Sequence, residues 1–139
     1  MSNAQLSPYL AFNGNCQEAM EFYHGVMGGE LELHTFGELK MPGIPDSYKD
    51  KIMHGMLKND ALSFMASDSA PGAEYTLGSN ISLSVTGTDA DLLKKLWDGL
   101  STDGQITMPL ARQTWGDDFG MFTDKFGINW MINITVKKN

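Results

Sequence analysis

A chain of 139 residues has the size of one domain, or of two small halves sharing a core, and can fold without a disulfide or metal staple. Its composition, 42% hydrophobic and 19% charged, excludes a disordered, collagen-like or low-complexity protein. With 17 Asp and Glu against 10 Lys and Arg the formal charge is −7, which argues against nucleic acid or an anionic membrane as partner.

At the N-terminus, Ser2-Asn3-Ala4 reads as a cloning remnant behind Met1, and no basic-plus-apolar leader follows. Tyr9-Leu10-Ala11-Phe12 is a short strand ended by Asn13-Gly14. A helix comes next, with Asn15 and Glu18 at capping-box spacing and Ala19, Phe22, Tyr23, Val26 and Met27 on one face. Its first turn holds the single cysteine, Cys16. A lone thiol suits a reducing cytoplasm, and no neighbouring base or cation activates it. Gly28-Gly29 stops the helix. Leu31, Leu33 and Thr35 then alternate with Glu32 and His34 as a half-buried strand. After a Pro/Gly loop from Met41 to Pro45, two strands over 51–58 and 62–67 flank an Asn59-Asp60 turn.

The second half repeats this order. Ile81, Leu83 and Val85 alternate with Ser82 and Ser84, and Thr88 or Asp89 caps a helix bearing Leu92, Leu93, Leu96, Trp97 and Leu100. Gly104 ends it, a strand begins over 105–108, and strands over 119–124 and 128–136 flank Lys125-Phe126-Gly127. Gly14 aligns with Gly87, Tyr23 with Trp97 and Gly29 with Gly104. No run approaches the roughly 20 apolar residues of a membrane-spanning helix. The expected architecture is a single α+β domain over 1–139. Two βαβββ modules, about 7–70 and 78–137, would form a curved, largely antiparallel eight-stranded sheet with helices on the convex side and a concave cup inside.

The run Tyr9–Ala19, with Phe22-Tyr23, Gly28-Gly29-Glu30, Phe36-Gly37-Glu38, Met53-His54-Gly55 and Met65-Ala66-Ser67-Asp68, resembles PhnB-like proteins. Those belong to the glyoxalase/bleomycin-resistance/extradiol-dioxygenase (vicinal oxygen chelate) superfamily. Thr114-Trp115-Gly116, Phe119-Gly120-Met121 and the run from Thr123 to Asn133 extend the resemblance over nearly the whole chain. It implies paired βαβββ modules and a homodimer. Members often carry the name 3-demethylubiquinone 3-methyltransferase. A nucleotide-derived methyl donor, however, needs a glycine-rich strand-to-helix turn in a parallel sheet, and Asn13-Gly14-Asn15 has one glycine in another architecture.

The resemblance also implies one divalent ion, held by His and Glu from the first and last strands of each module. Carried onto this chain, those positions are Pro8, Met65, Asn80 and Met131, with no imidazole or carboxylate among them. Alternation places Asn80, Ser82 and Ser84, then Asn129, Met131 and Asn133, then Ser63, Met65 and Ser67, in the cup. It adds Pro8, Leu10 and Phe12 from the first strand. Of the three histidines, His24 lies beyond the apolar stripe of its helix and His34 faces cup or solvent. His54, beside Gly55, is the best candidate ligand or base. Trp115, before Gly116-Asp117-Asp118, borders the cup as a stacking wall or dimer anchor, while Glu38 and Asp68 sit at strand ends.

The predicted ligand-binding set is Phe12, His54, Met65, Asn80, Ser82, Trp115, Asn129 and Met131, with no metal and no cofactor. The expected function is binding of a small polar organic molecule. The alternative is a metal-dependent glyoxalase-type lyase or isomerase using His54 and non-standard ligands. A third reading has the cup filled by side chains and the surface mediating association.

Overall fold

The computed structural model describes residues 6–40, 42–60 and 62–136; Met1, the Ser2-Asn3-Ala4 segment and Met41 lie outside the described residues. The chain forms two compact units, one ending at Thr76 and the other beginning at Leu77. The first contains β1 (Tyr9–Phe12), α1 (Cys16–Met27), β2 (Glu30–Thr35), a 3-10 turn (Asp46–Tyr48), β3 (Ile52–Lys58) and β4 (Ser63–Asp68). The second contains β5 (Leu83–Gly87), α2 (Ala90–Leu100), β6 (Gln105–Arg112), β7 (Asp118–Thr123) and β8 (Asn129–Ile134). Each is a βαβββ module of the expected α+β class, with strand orders β1-β4-β3-β2 and β5-β8-β7-β6. The outer pairs β1/β4 and β5/β8 run parallel and the remaining pairs antiparallel.

In each unit the helix covers one face of its sheet. Ala19, Met20 and Tyr23 of α1 are buried with Leu10, Phe12, Leu57, Phe64 and Ala66. In the second unit Leu93, Leu96, Trp97 and Leu100 are buried with Phe122, Trp130, Ile132 and Ile134. Each Leu, Ile, Phe or Met among them contributes about 1.5–3 kcal/mol when fully removed from water. Leu92, expected on that stripe, points away and is exposed. Tyr23 packs edge-on to Phe64 at 5.8 Å and Trp97 edge-on to Phe122 at 5.0 Å, so the aligned aromatics play the same part in both modules.

Gly29 and Gly104 are also equivalent. A Cβ on Gly29 would lie 2.4 Å from the Lys58 carbonyl oxygen, and one on Gly104 2.4 Å from that of Thr123. Only glycine lets the chain leaving each helix pass so close to the neighbouring strand end. The pairing of Gly14 with Gly87 is corrected. Gly87 pairs with Ile134 as Phe12 pairs with Asp68, so the ladder makes Phe12 the counterpart of Gly87.

Two sequence expectations about helix starts diverge. Asp89 caps α2 by accepting from the Leu92 N–H at 3.1 Å. The Asn15 side chain makes no capping bond. Asp68, from the end of β4, does that work instead: its Oδ1 accepts from the N–H groups of Gly14 and Cys16, both at 2.9 Å, and its Oδ2 from Ile52 N–H at 2.8 Å. β5 starts at Leu83 rather than Ile81, because the Ile81 carbonyl accepts from the Asn129 side chain and its own side chain is 74% exposed. β6 runs on to Arg112 through two register irregularities around Pro109, a residue that suits such breaks because it has no N–H to give the ladder.

Candidate functional site

Residues paired directly across a ladder share a face, so register decides which side chains lie opposite the helix. On the second sheet, Asn129, Met131 and Asn133 of β8 pair with Thr123, Met121 and Phe119 of β7, and Ser84 of β5 pairs with Met131. All lie on the face away from α2, because their strand neighbours Trp130, Ile132 and Ile134 are the buried ones. A cavity of about 200 Å³ opens at the Asn129 end. Its polar lining is Ser79, Ser82, Thr107, Thr123 and Asn129; Met121 supplies apolar surface, and Phe122 and Trp130, whose rings are buried on the α2 side, complete the lining.

The local architecture explains the cavity. Thr123 Oγ1 donates to Asn129 Oδ1 at 2.8 Å, and Asn129 Nδ2 donates to the Ile81 carbonyl at 3.3 Å. That second bond ties the irregular segment before β5 to β8, which brings Ser79 and Ser82 to the cavity. Asp124, in the β7–β8 turn, is 4% exposed and accepts from Phe126 N–H, Ile128 N–H and Trp130 Nε1. It holds the strand ends that carry Thr123 and Asn129. No formal charge lines the cavity.

Of the predicted residues, Ser82 and Asn129 meet at this cavity. Met131 shares the face one step along β8, and Asn80 is an exposed residue of the segment before β5. Trp115 is 54% exposed at the β6–β7 connection and packs edge-on to Phe119 at 5.7 Å. Phe119 and Thr123 stand near opposite ends of β7, so Trp115 does not border the cavity. Asn133 donates to Asp117 Oδ2 at 3.1 Å near that same far end. Met121 and Thr123 were legible from alternation along β7. Ser79 and Thr107 carried no such signal, since one lies in an irregular segment and the other at a break in register.

In the first unit, Met65 lies on the face away from α1, as alternation predicts. Phe12 does not: it pairs with Asp68, next to the buried Leu10 and Ala66, and is fully buried on the helix side. The expectation that Pro8, Leu10 and Phe12 face the cup is therefore reversed. Tyr9 and Ala11, paired with Met65 and Ser67, hold the far face of β1. The four residues Tyr9–Phe12 have no polar alternation to mark their faces, and the parallel pairing with β4 sets them.

His54 also lies on that far face, directly opposite His34 on β2. Its ring is tilted 45° to that of Tyr9 at 6.4 Å. His34 Nδ1 is 3.2 Å from Glu38 Oε2. His24 is half-buried, with Nε2 3.0 Å from the Gly29 carbonyl at the helix end. Asp68, 3% exposed and saturated by three N–H donors, has a capping role rather than a solvated one. Cys16 is fully buried, and burial, with the Asp68 carboxylate beside it, pushes its thiol up to about 12.

The divalent ion implied by the superfamily resemblance does not fit these residues. The positions expected to chelate are Pro8, Met65, Asn80 and Met131; register corrects two of them, since the β1 partner of Met65 is Tyr9 and the β5 partner of Met131 is Ser84. Phenol, hydroxyl and thioether are poor ligands for zinc, nickel, manganese or iron(II). Among the described residues, no group of three or more His, Cys, Asp or Glu is placed to hold a metal ion.

Known proteins share the sequence family and the fold. The family described as 3-demethylubiquinone-9 3-methyltransferase matches residues 4–133. Protein YjdN of Escherichia coli K12 is 32% identical, over 93% of this chain and 94% of its own. Protein PA1353 of Pseudomonas aeruginosa is 40% identical with a TM-score of 0.87, covering 97% of this chain and 100% of that one. The PhnB protein of Bacillus cereus has the same fold at 24% identity and TM-score 0.78, over 95% and 100% of the two chains. A glyoxalase/bleomycin resistance protein/dioxygenase superfamily member from Sphaerobacter thermophilus shares it at 14% identity and TM-score 0.53, over 95% and 98%.

Proposed function

The chain belongs to the 3-demethylubiquinone-9 3-methyltransferase family, PhnB-like proteins of the glyoxalase/bleomycin-resistance superfamily, and on that premise we propose that it binds a small, uncharged polar organic molecule. The observation that carries the proposal is the cavity on the second sheet, where hydroxyl and amide groups meet the Met121 thioether with no formal charge. Pockets that orient small metabolites combine apolar walls with a few placed polar groups in this way. At about 200 Å³ it suits a compact, fragment-sized ligand. Methyl transfer is not part of the proposal. Each unit has one parallel strand pair and enters its helix through Asn13-Gly14-Asn15 or Thr88-Asp89, not through a glycine-rich turn of a doubly wound sheet.

The test is a thermal-shift and calorimetric screen of neutral polyols, amides and small heterocycles, repeated on Ser82→Phe. Ser82 sits in the exposed segment before β5, so the bulky ring fills the cavity without entering the core. A saturable ligand whose affinity falls at least about tenfold in Ser82→Phe supports the proposal. Saturable binding that is indifferent to the substitution, or none at all, overturns it. The same reading takes the protein as a cytoplasmic homodimer. The lone, sealed thiol of Cys16 supports a reducing compartment, and the superfamily resemblance supports the dimer.

A further inference from the structure

On the first sheet, we infer that His34, His54 and Met56 form a copper site on the face away from α1. It is independent of the cavity on the second sheet and uses none of the positions where the superfamily's chelating groups are expected. His34 and His54 are direct partners in the antiparallel β2/β3 ladder. Such partners bring their Cβ atoms to about 5 Å, within bridging range for two imidazoles. Met56 is two residues beyond His54 on β3 and therefore on the same face, where its ladder partner on β4 is Met65.

The strongest sign of preorganisation is behind His34. Its Nδ1 lies 3.2 Å from Glu38 Oε2. The carboxylate is fixed independently: Oε2 also accepts from Thr35 N–H at 3.2 Å, and Glu38 N–H donates to Thr35 Oγ1 at 3.0 Å. A carboxylate on Nδ1 sets the tautomer and turns Nε2 outward as the coordinating atom, the arrangement common to metal-bound histidines. The His54 side chain makes no hydrogen bond among the described residues, and its ring is flanked by Tyr9.

The donor chemistry selects the ion. Two imidazoles and a thioether, with the carboxylate held back as an outer partner, suit copper, and the thioether favours Cu(I). Magnesium and calcium want oxygen ligands, and structural zinc wants four ligands, commonly with thiolates. Glu32 of β2, the direct partner of Met56, stands on the same face, and its hard carboxylate is a poor ligand for Cu(I), so it lies outside the donor set; His24 is held at the helix end and Cys16 is sealed in the core.

The test is anaerobic titration of the full chain with Cu(I) against a chromogenic chelator, with a parallel Zn²⁺ titration. Circular dichroism confirms the fold of each variant. One equivalent of Cu(I) is expected. His34→Ala and His54→Ala should each weaken binding at least about tenfold, Met56→Leu should weaken Cu(I) binding, and Glu38→Gln should weaken it about tenfold through loss of orientation. Cys16→Ala should leave the affinity unchanged. His54→Gln replaces His54→Ala should the latter unfold. Sub-stoichiometric Cu(I), full affinity in the histidine variants, loss of binding in Cys16→Ala, or stoichiometric zinc without copper would each overturn the assignment.

Discussion

Asp68 joins the end of β4 to the start of α1 and the start of β3 through three N–H donors. Removing its carboxylate strands those buried donors, so Asp68→Ala should cost about 3 kcal/mol and lower the urea midpoint; Asp68→Asn, which keeps one acceptor oxygen, should cost less. Cys16 sits inside the same knot. Its thiol is held neutral in the fold up to about 12, while in the unfolded chain it ionises near its ordinary 9.0. The unfolded state therefore loses the proton first. Its contribution to stability is complete below pH 9 and is lost progressively as pH rises towards 12. Denaturation at pH 8 and pH 10.5, compared between the native chain and Cys16→Ala, should show a steeper alkaline loss in the native chain. At pH 8 a thiol reagent should modify Cys16 only on unfolding.

Among the elements, α2 meets its sheet where Trp97 lies over Gly120. A Cβ there would fall 2.6 Å from Trp97 Cη2 and 2.8 Å from the Leu110 Cα on the neighbouring strand. Gly120→Ala should therefore destabilise by about 2 kcal/mol through overpacking, with a lower melting temperature. Gly25, within α1, has nothing within 4 Å of its would-be Cβ. Gly25→Ala should stabilise by up to about 1 kcal/mol in the same assay, since alanine loses less backbone entropy in a helix. The helices themselves were legible because their apolar stripes are local. Asp89 was legible as a cap for the same reason, three residues from the N–H it serves. The cap of α1 was not, because Asp68 is 52 residues from Cys16.

At the scale of the whole molecule, one chain has a mass of 15.3 kDa, and light scattering at micromolar concentration should return about twice that; a monomer at this concentration would contradict the proposed homodimer. No helix among the described residues is long and apolar enough to cross a membrane. The formal charge of −7 predicts negligible retention on a phosphate-backbone matrix at physiological salt.

The order of elements, the twofold repeat and the faces of β4 and β8 could be read from the chain alone, because each is written as a period within a few consecutive residues. Gly29 and Gly104 marked equivalent stops, and Met65 and Met131 fell on the side that alternation assigned. Tertiary pairing decided the rest. It turned Phe12 to the helix, set His34 against His54, drew Ser79 and Ser82 to Asn129, and made Asp68 a cap. Those outcomes depend on hydrogen-bond register and burial between distant segments, whose free energy no local window of sequence contains.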